Sequence, residues 1–112
     1  MILKLKNITR SESDKSKVTL SLEAYYGFEG REYGDIIRIN LDVKKKTAYC
    51  TVRIKNPGAG FAASRIVEHL SKIIIDKYVG KKYLEVVIET LTEKFGMESD
   101  PDNIASFLSG LE

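Results

Sequence analysis

The amino-acid sequence predicts an α+β fold, a four-stranded antiparallel meander followed by three helices packed on one face of the sheet, in the order β-β-β-β-α-α-α. Three observations predict it. Up to residue 56 the apolar residues recur at every second position, the repeat of a strand with one buried face. After Asn56-Pro57-Gly58 they recur at three- and four-residue intervals, the repeat of a helix with one buried stripe. A length of 112 residues supplies one core and leaves no room for a second of any size. The chain therefore reads as a single α+β domain over 1–112, with its sheet in 1–56 and its helical part in 57–112.

The first strand is expected near Ile2 to Thr9. In the second, Val18, Leu20, Leu22 and Ala24 alternate with Thr19, Ser21, Glu23 and Tyr25. In the third, Ile37, Ile39, Leu41 and Val43 alternate with Arg38, Asn40 and Asp42, and in the fourth Ala48, Cys50, Val52 and Ile54 alternate with Tyr49, Thr51 and Arg53. Ser11 to Ser16 reads as a polar loop, Gly27 to Gly34 as a longer flexible loop carrying three glycines, and Lys44 to Lys46 as a connection of hairpin length. Ala62, Ala63, Ile66, Val67, Leu70, Ile73, Ile74 and Tyr78 predict a helix of about five turns that begins close to Gly60, with Gly80 where a C-terminal cap belongs. Leu84, Val87, Ile88, Leu91 and Phe95 form the stripe of a second helix ending at Gly96. Its other face repeats Glu85, Glu89 and Glu93 at four-residue intervals, so like charges adjoin. A third, short helix has Asp100 as N-cap and Pro101 as its first residue, followed by Ile104, Phe107 and Leu108.

Composition excludes several classes. With 43% hydrophobic and 30% charged residues the chain is neither a disordered tail nor a fibrous peptide. One Cys cannot close an internal disulfide, so nothing calls for an oxidising compartment. The opening MILKLKNITR interleaves Lys4, Lys6 and Arg10 with apolar residues and lacks the apolar core of a signal peptide. The longest wholly apolar runs, such as Ile73 to Ile75, fall far short of a membrane span. A soluble, cytoplasmic protein with no membrane partner is the expectation. The absence of Gln, the scarcity of Met and Cys and the abundance of Lys, Glu and Ile lean toward a thermophilic source.

Little catalytic chemistry is in view. Cys50 and His69 are the sole residues of their kinds and too few for a metal site. Cys50 falls on the apolar phase of its strand, as a buried inert thiol would, and His69 reads as a surface or boundary residue of the first helix. Ser64, in Phe-Ala-Ala-Ser-Arg, has no nucleophile elbow around it. Asn56-Pro57-Gly58-Ala59-Gly60 joins a strand to a helix, where backbone amides can hold phosphate, but it lacks the Gly-Lys-Ser/Thr end of a P-loop and the third glycine of a dinucleotide fingerprint. A tight turn explains it better. No catalytic residue, cofactor or metal is expected. An enzyme using Asp35 with His69, or the Gly58 to Gly60 loop, remains the minor alternative.

Charge is more informative. The formal net charge of +2 hides a gradient: residues 1–43 carry seven basic and seven acidic side chains, 44–84 ten and two, and 85–112 one and seven. A basic middle and an acidic end either cancel as solvated faces or offer complementary surfaces to a partner. On the sheet face opposite the apolar phase, Tyr25, Arg38, Tyr49 and Arg53 share one side, with Lys44, Lys45, Lys46 and Lys55 at its edges. Aromatic rings among cations are what single-stranded nucleic acid stacks on and tracks along. Glu23 and Asp42 on the same face, and the lack of an RNP-like motif, count against it.

One stretch resembles a known family. Tyr33-Gly34-Asp35-Ile36-Ile37-Arg38-Ile39, then two strands, then Gly58-Ala59-Gly60-Phe61-Ala62-Ala63-Ser64 opening a helix, is similar to the NifU-type iron-sulfur cluster scaffolds. In that family a Cys-Gly-Asp triplet leads into a strand, and a Gly-Cys followed by small residues starts a helix. The step Gly80-Lys81-Lys82 also looks like the family's Gly-Lys turn, so the resemblance covers about residues 33–84. It implies a strand-strand-turn-helix order, but not the metal chemistry. The ligand positions read Tyr33 and Ala59, no third cysteine follows, and only Asp35 remains of the functional set. Thiolates hold such clusters, and neither Tyr nor Ala replaces them. The expected function is thus a non-enzymatic binding module, a protein-interaction or self-associating domain resembling a ligand-less NifU scaffold. Binding of single-stranded nucleic acid on the open sheet face is the alternative.

Overall fold

The computed structural model describes residues 1–14, 16–42, 47–52, 56–73 and 80–110. Strands β1 (Ile2–Arg10), β2 (Lys17–Phe28), β3 (Arg31–Asp42) and β4 (Thr47–Val52) precede helices α1 (Ala59–Leu70), α2 (Gly80–Phe95) and α3 (Pro101–Ser109). The strands lie in the order β1-β2-β3-β4, each antiparallel to the next.

The alternation in the sequence sets the faces. Along β2, Val18, Leu20, Leu22, Ala24 and Tyr26 are buried, and along β3, Asp35, Ile37, Ile39 and Leu41. These two strands pair over their whole length, from Lys17 with Asp42 to Phe28 with Arg31. Glu29 and Gly30 alone close the hairpin, both at positive φ (50° and 79°), as a two-residue turn that follows the strand twist requires. The flexible loop expected over Gly27 to Gly34 is therefore corrected to continuous strand on both sides of a tight turn. Gly34 has a packing reason to be in a strand: a Cβ there would lie 3.2 Å from the ring of Tyr25.

The expected four-stranded antiparallel meander with three helices on one face also needs correction. The sheet that supplies the described core residues is three-stranded, β1 to β3. β4, described over six residues, pairs with Ile37–Asp42. At the far end of β3, Asn56 Nδ2 donates to the carbonyl oxygen of Gly34 at 3.2 Å, so the turn before α1 is tied to that end of the strand. At the opposite edge β1 gains a short parallel neighbour. Leu5 N–H donates to Glu98 O (2.8 Å) and Glu98 N–H to Leu3 O (2.9 Å), so the sheet is not a pure antiparallel meander.

The helices divide unequally. Ala59, Ala62, Ile66 and Leu70 of α1 and Tyr83, Leu84, Val87, Ile88 and Leu91 of α2 join the sheet residues in one buried cluster. α3 contributes no buried residue and lies along β1, with half-buried Ile104 and Phe107 lining a shallow groove opposite Leu5 and Ile8. The five-turn first helix is corrected as well: α1 ends after 12 residues, followed by a turn in which Ser71 N–H donates to Val67 O and Ile73 N–H to Leu70 O. Ile74 and Tyr78 lie outside the described residues. Gly80 opens α2 and does not cap α1. Gly96, at φ 62°, does follow the end of α2, where a left-handed glycine ends a helix without strain.

Candidate interaction site

With α1 and α2 on one side of the sheet, the other side is left open. Its centre follows from register. Ile2 pairs with Tyr25, Tyr25 with Gly34, and Glu23 with Ile36, so Ile36 is the diagonal neighbour of Tyr25 on the same face, within side-chain reach. Ile2, Tyr25 and Ile36 are 54%, 44% and 46% exposed. The Tyr25 ring lies across Gly34, its hydroxyl donates to Glu23 Oε2 at 2.9 Å, and Lys4 Nζ stands 5.8 Å from its centroid. The aromatic ring is thus held down by a strand glycine, a carboxylate and a cation.

Polar groups surround this apolar centre. Lys6 Nζ is 3.4 Å from Glu23 Oε1, and Lys4 Nζ is 3.9 Å from Glu98 Oε2. The hydrogen bond from Tyr25 lowers the Glu23 carboxyl from its ordinary value, helped by Lys6 and Lys4 against a burial effect. The same bond raises the Tyr25 hydroxyl. Further along, Thr19 Oγ1 donates to Asn40 Oδ1 at 3.1 Å. Arg38 is exposed and has no ion-pair partner among the described residues. Of the expected binding residues, Tyr25 and Arg38 thus share the open face. Tyr49 pairs by backbone with Asn40 of that face, but its side chain is outside the described part, as is that of Cys50. Lys44, Lys45, Lys46, Arg53 and Lys55 all lie outside the described residues. Asp42, counted from its phase as a face residue, is buried.

A second constellation lies on the covered side. Tyr26 donates to Asp35 Oδ2 at 2.5 Å, and its hydroxyl is 3.2 Å from the carbonyl oxygen of Pro57. Asn56 Nδ2 donates to Asp35 Oδ1 at 3.0 Å. Tyr33 packs on Tyr26 with centroids 5.9 Å apart. Burial, the bond to Asp35 and the charge of Asp35 push the Tyr26 hydroxyl up to about 12. The turn that brings Asn56 here is built by Pro57 and Gly58: Ala59 N–H donates back to Asn56 O at 3.4 Å, and Gly58 takes φ 84°, the conformation that selects glycine third in a type II turn. Phe28 fills the space beside it, 2.8 Å from where a Gly58 Cβ would stand.

Tyr33, Gly34, Asp35, Gly58 and Ala59, far apart in sequence, therefore meet at one end of the molecule. Tyr26 and Asn56 complete the group and were not singled out from the sequence. The signal for Tyr26 was available, since it continues the apolar phase of β2 two places beyond Ala24. Asp35 likewise precedes Ile37 on the apolar phase of β3. His69 does not join them. It sits ten residues after Ala59 on α1, about 15 Å along the axis, with its ring edge-on to Phe95 at 5.0 Å. His69 thus lies nearly three helical turns from the turn whose Asn56 bonds Asp35. Ser64 Oγ donates to Gly60 O at 2.9 Å, a bond within the helix. Among the described residues no three His, Cys, Asp or Glu side chains are grouped to hold a metal ion, and no helix is long and apolar enough to cross a membrane.

No family model, curated protein or solved structure matches the chain.

Proposed function

We propose that the chain is a non-enzymatic protein-interaction module that works through the open face of its sheet. The observation that carries the proposal is the contiguous exposure of Ile2, Tyr25 and Ile36 inside a polar rim. A small apolar centre ringed by charged groups is the anatomy of a protein interface, and two branched aliphatic side chains suit a protein surface better than a stack of bases. The NifU-type likeness belongs to the same proposal. Its support is the meeting of Tyr33, Asp35 and Ala59 at one end, in a space occupied by Tyr26 and Asn56 and supplied with no thiolate among its described side chains. On this reading the likeness is one of scaffold and not of cluster chemistry. A single cysteine suits a reducing, cytoplasmic setting.

Site-specific photocrosslinking tests the proposal. With p-benzoylphenylalanine in place of Ile36, protein adducts are expected that a copy carrying the crosslinker in place of Asn103, on the outside of α3, does not form. Nucleic-acid binding is the competing outcome, because Lys4 beside the Tyr25 ring and the exposed Arg38 also fit a stacked, phosphate-bearing strand. A labelled single-stranded oligonucleotide crosslinked from position 36, with affinity falling steeply in salt and lost in Tyr25→Ala, would overturn the protein reading. Failure to form any protein adduct from position 36 would do the same.

A further inference from the structure

The open sheet face and the outer face of α2 carry exposed charges of opposite sign on opposite sides of the core. On the sheet side Arg38 is exposed and has no ion-pair partner among the described residues, whereas Lys4 and Lys6 on the same face are paired with Glu98 and Glu23. On the other side is α2. Its buried stripe, Leu84, Val87, Ile88 and Leu91, joins the core that the sheet covers from beneath. A helix turns 100° per residue, so Glu89 stands about 140° and Glu93 about 180° from Leu84, facing away from the sheet. Both are exposed, and neither has an ion-pair partner among the described residues, whereas Glu85 is 3.7 Å from Lys82. Two carboxylates one turn apart repel each other and weaken the helix that carries them. Val86, half-buried and turned about 200° from Leu84, lies on the same outer surface and gives it an aliphatic residue.

Resting on the protein-interaction reading above, we propose that the occupant of the open sheet face is the outer face of α2 from a second copy of this chain. Arg38 of one molecule faces Glu89 and Glu93 of the next, and Ile2, Tyr25 and Ile36 receive Val86. Opposite charges on opposite poles cannot meet within one molecule, because the whole core lies between them. They meet between molecules stacked head to tail. Such a contact is heterologous: each copy uses one surface to receive and the other to insert, so the assembly lengthens with concentration unless it closes into a ring. A patch of three apolar residues is at the low end of interface size, so association is weak and salt-dependent.

Sedimentation of the full chain tests this over a concentration series at about 20 mM and about 300 mM salt, where the screening length drops from ~20 Å to ~6 Å. The weight-average mass is expected to climb above the 12.6 kDa monomer with concentration at low salt, and to return to it at high salt. Arg38→Glu and the pair Glu89→Lys with Glu93→Lys, all at exposed positions, should each give a folded protein that remains monomeric. A mixture of the two variants should associate again, because each reversed surface finds its complement on the other partner. A wild-type protein that stays monomeric throughout the low-salt series, or a mass that ignores both variants, overturns the proposal. A monomeric wild type that still forms adducts with another protein from position 36 would remove the second copy as occupant while leaving the protein-interaction reading in place.

Discussion

Replacing Tyr26 with Phe removes one hydroxyl from the buried end of β2 and leaves the ring packing against Tyr33 intact. The hydroxyl donates to Asp35 Oδ2 at 2.5 Å, and Asp35 is 7% exposed. In the variant that carboxylate keeps Asn56 Nδ2 at 3.0 Å and loses its other side-chain donor. A hydrogen bond to a carboxylate contributes roughly 1.5–3 kcal/mol, more when its loss strands a buried acceptor. No cavity of note forms, so Tyr26→Phe should cost about 2 kcal/mol, or about 8 °C in Tm for a domain of this size. Urea unfolding at neutral pH measures it, with an unchanged m-value as the check that the native state is otherwise the same. Combined with Asp35→Asn, the double-mutant cycle should return a coupling of at least about 1 kcal/mol. A loss below about 0.5 kcal/mol, or additive single effects, would refute the assignment of this bond as a buried tie between β2 and β3. Alkaline pH gives an independent readout. The folded Tyr26 holds its proton up to about 12, against a reference of 10.0. The stabilisation is therefore fully present below pH 10 and is lost as pH rises toward 12, because there the unfolded chain releases a proton that the folded chain retains. Tyr26→Phe should lose stability less steeply than wild type across that window; equal slopes would contradict it.

Three further outcomes follow from particular sites. Gly58→Ala must hold φ 84° and place a Cβ 2.8 Å from the Phe28 ring, so a loss of about 2–3 kcal/mol is expected on thermal unfolding; Gly60→Ala, in α1 with open space around it, should be neutral or stabilising by up to about 1 kcal/mol. Asp100→Ala removes the cap that accepts from Asp102 N–H at 3.0 Å, worth about 1 kcal/mol. Since α3 buries no residue, the loss should appear as faster amide exchange across Pro101–Ser109, with core strands β2 and β3 unaffected. Leu20→Ala, at a fully buried centre of β2, should cost roughly 2–5 kcal/mol by chemical denaturation.

What could be read in advance was whatever depends on neighbours in the chain. The alternation in β2 and β3, the stripe in α2 and the Asp100-Pro101 start of α3 are local, and each stands where its residues place it. Gly27 and Gly34 misled because a strand glycine looks like a loop until its cross-strand partner is known. Gly34 is in the sheet because the ring of Tyr25 needs the space. Gly80, too, looks like a cap, and instead it opens α2.

The sequence by itself determined that this chain builds an α+β unit with one apolar face per strand and one apolar stripe per helix, because side-chain periodicity follows directly from backbone geometry. It also placed Tyr25 and Arg38 together on the face that the helices leave uncovered. Only the tertiary structure decided where α3 lies and that Tyr26, Asp35 and Asn56 converge. Those features depend on pairings between residues 9 to 94 positions apart, whose free energy arises only when the chain has closed the intervening loops. It also put the exposed carboxylates of Glu89 and Glu93 and the exposed guanidinium of Arg38 on opposite sides of the core. Charge opposition along the chain becomes a directed surface property only after the core has set which way each element faces.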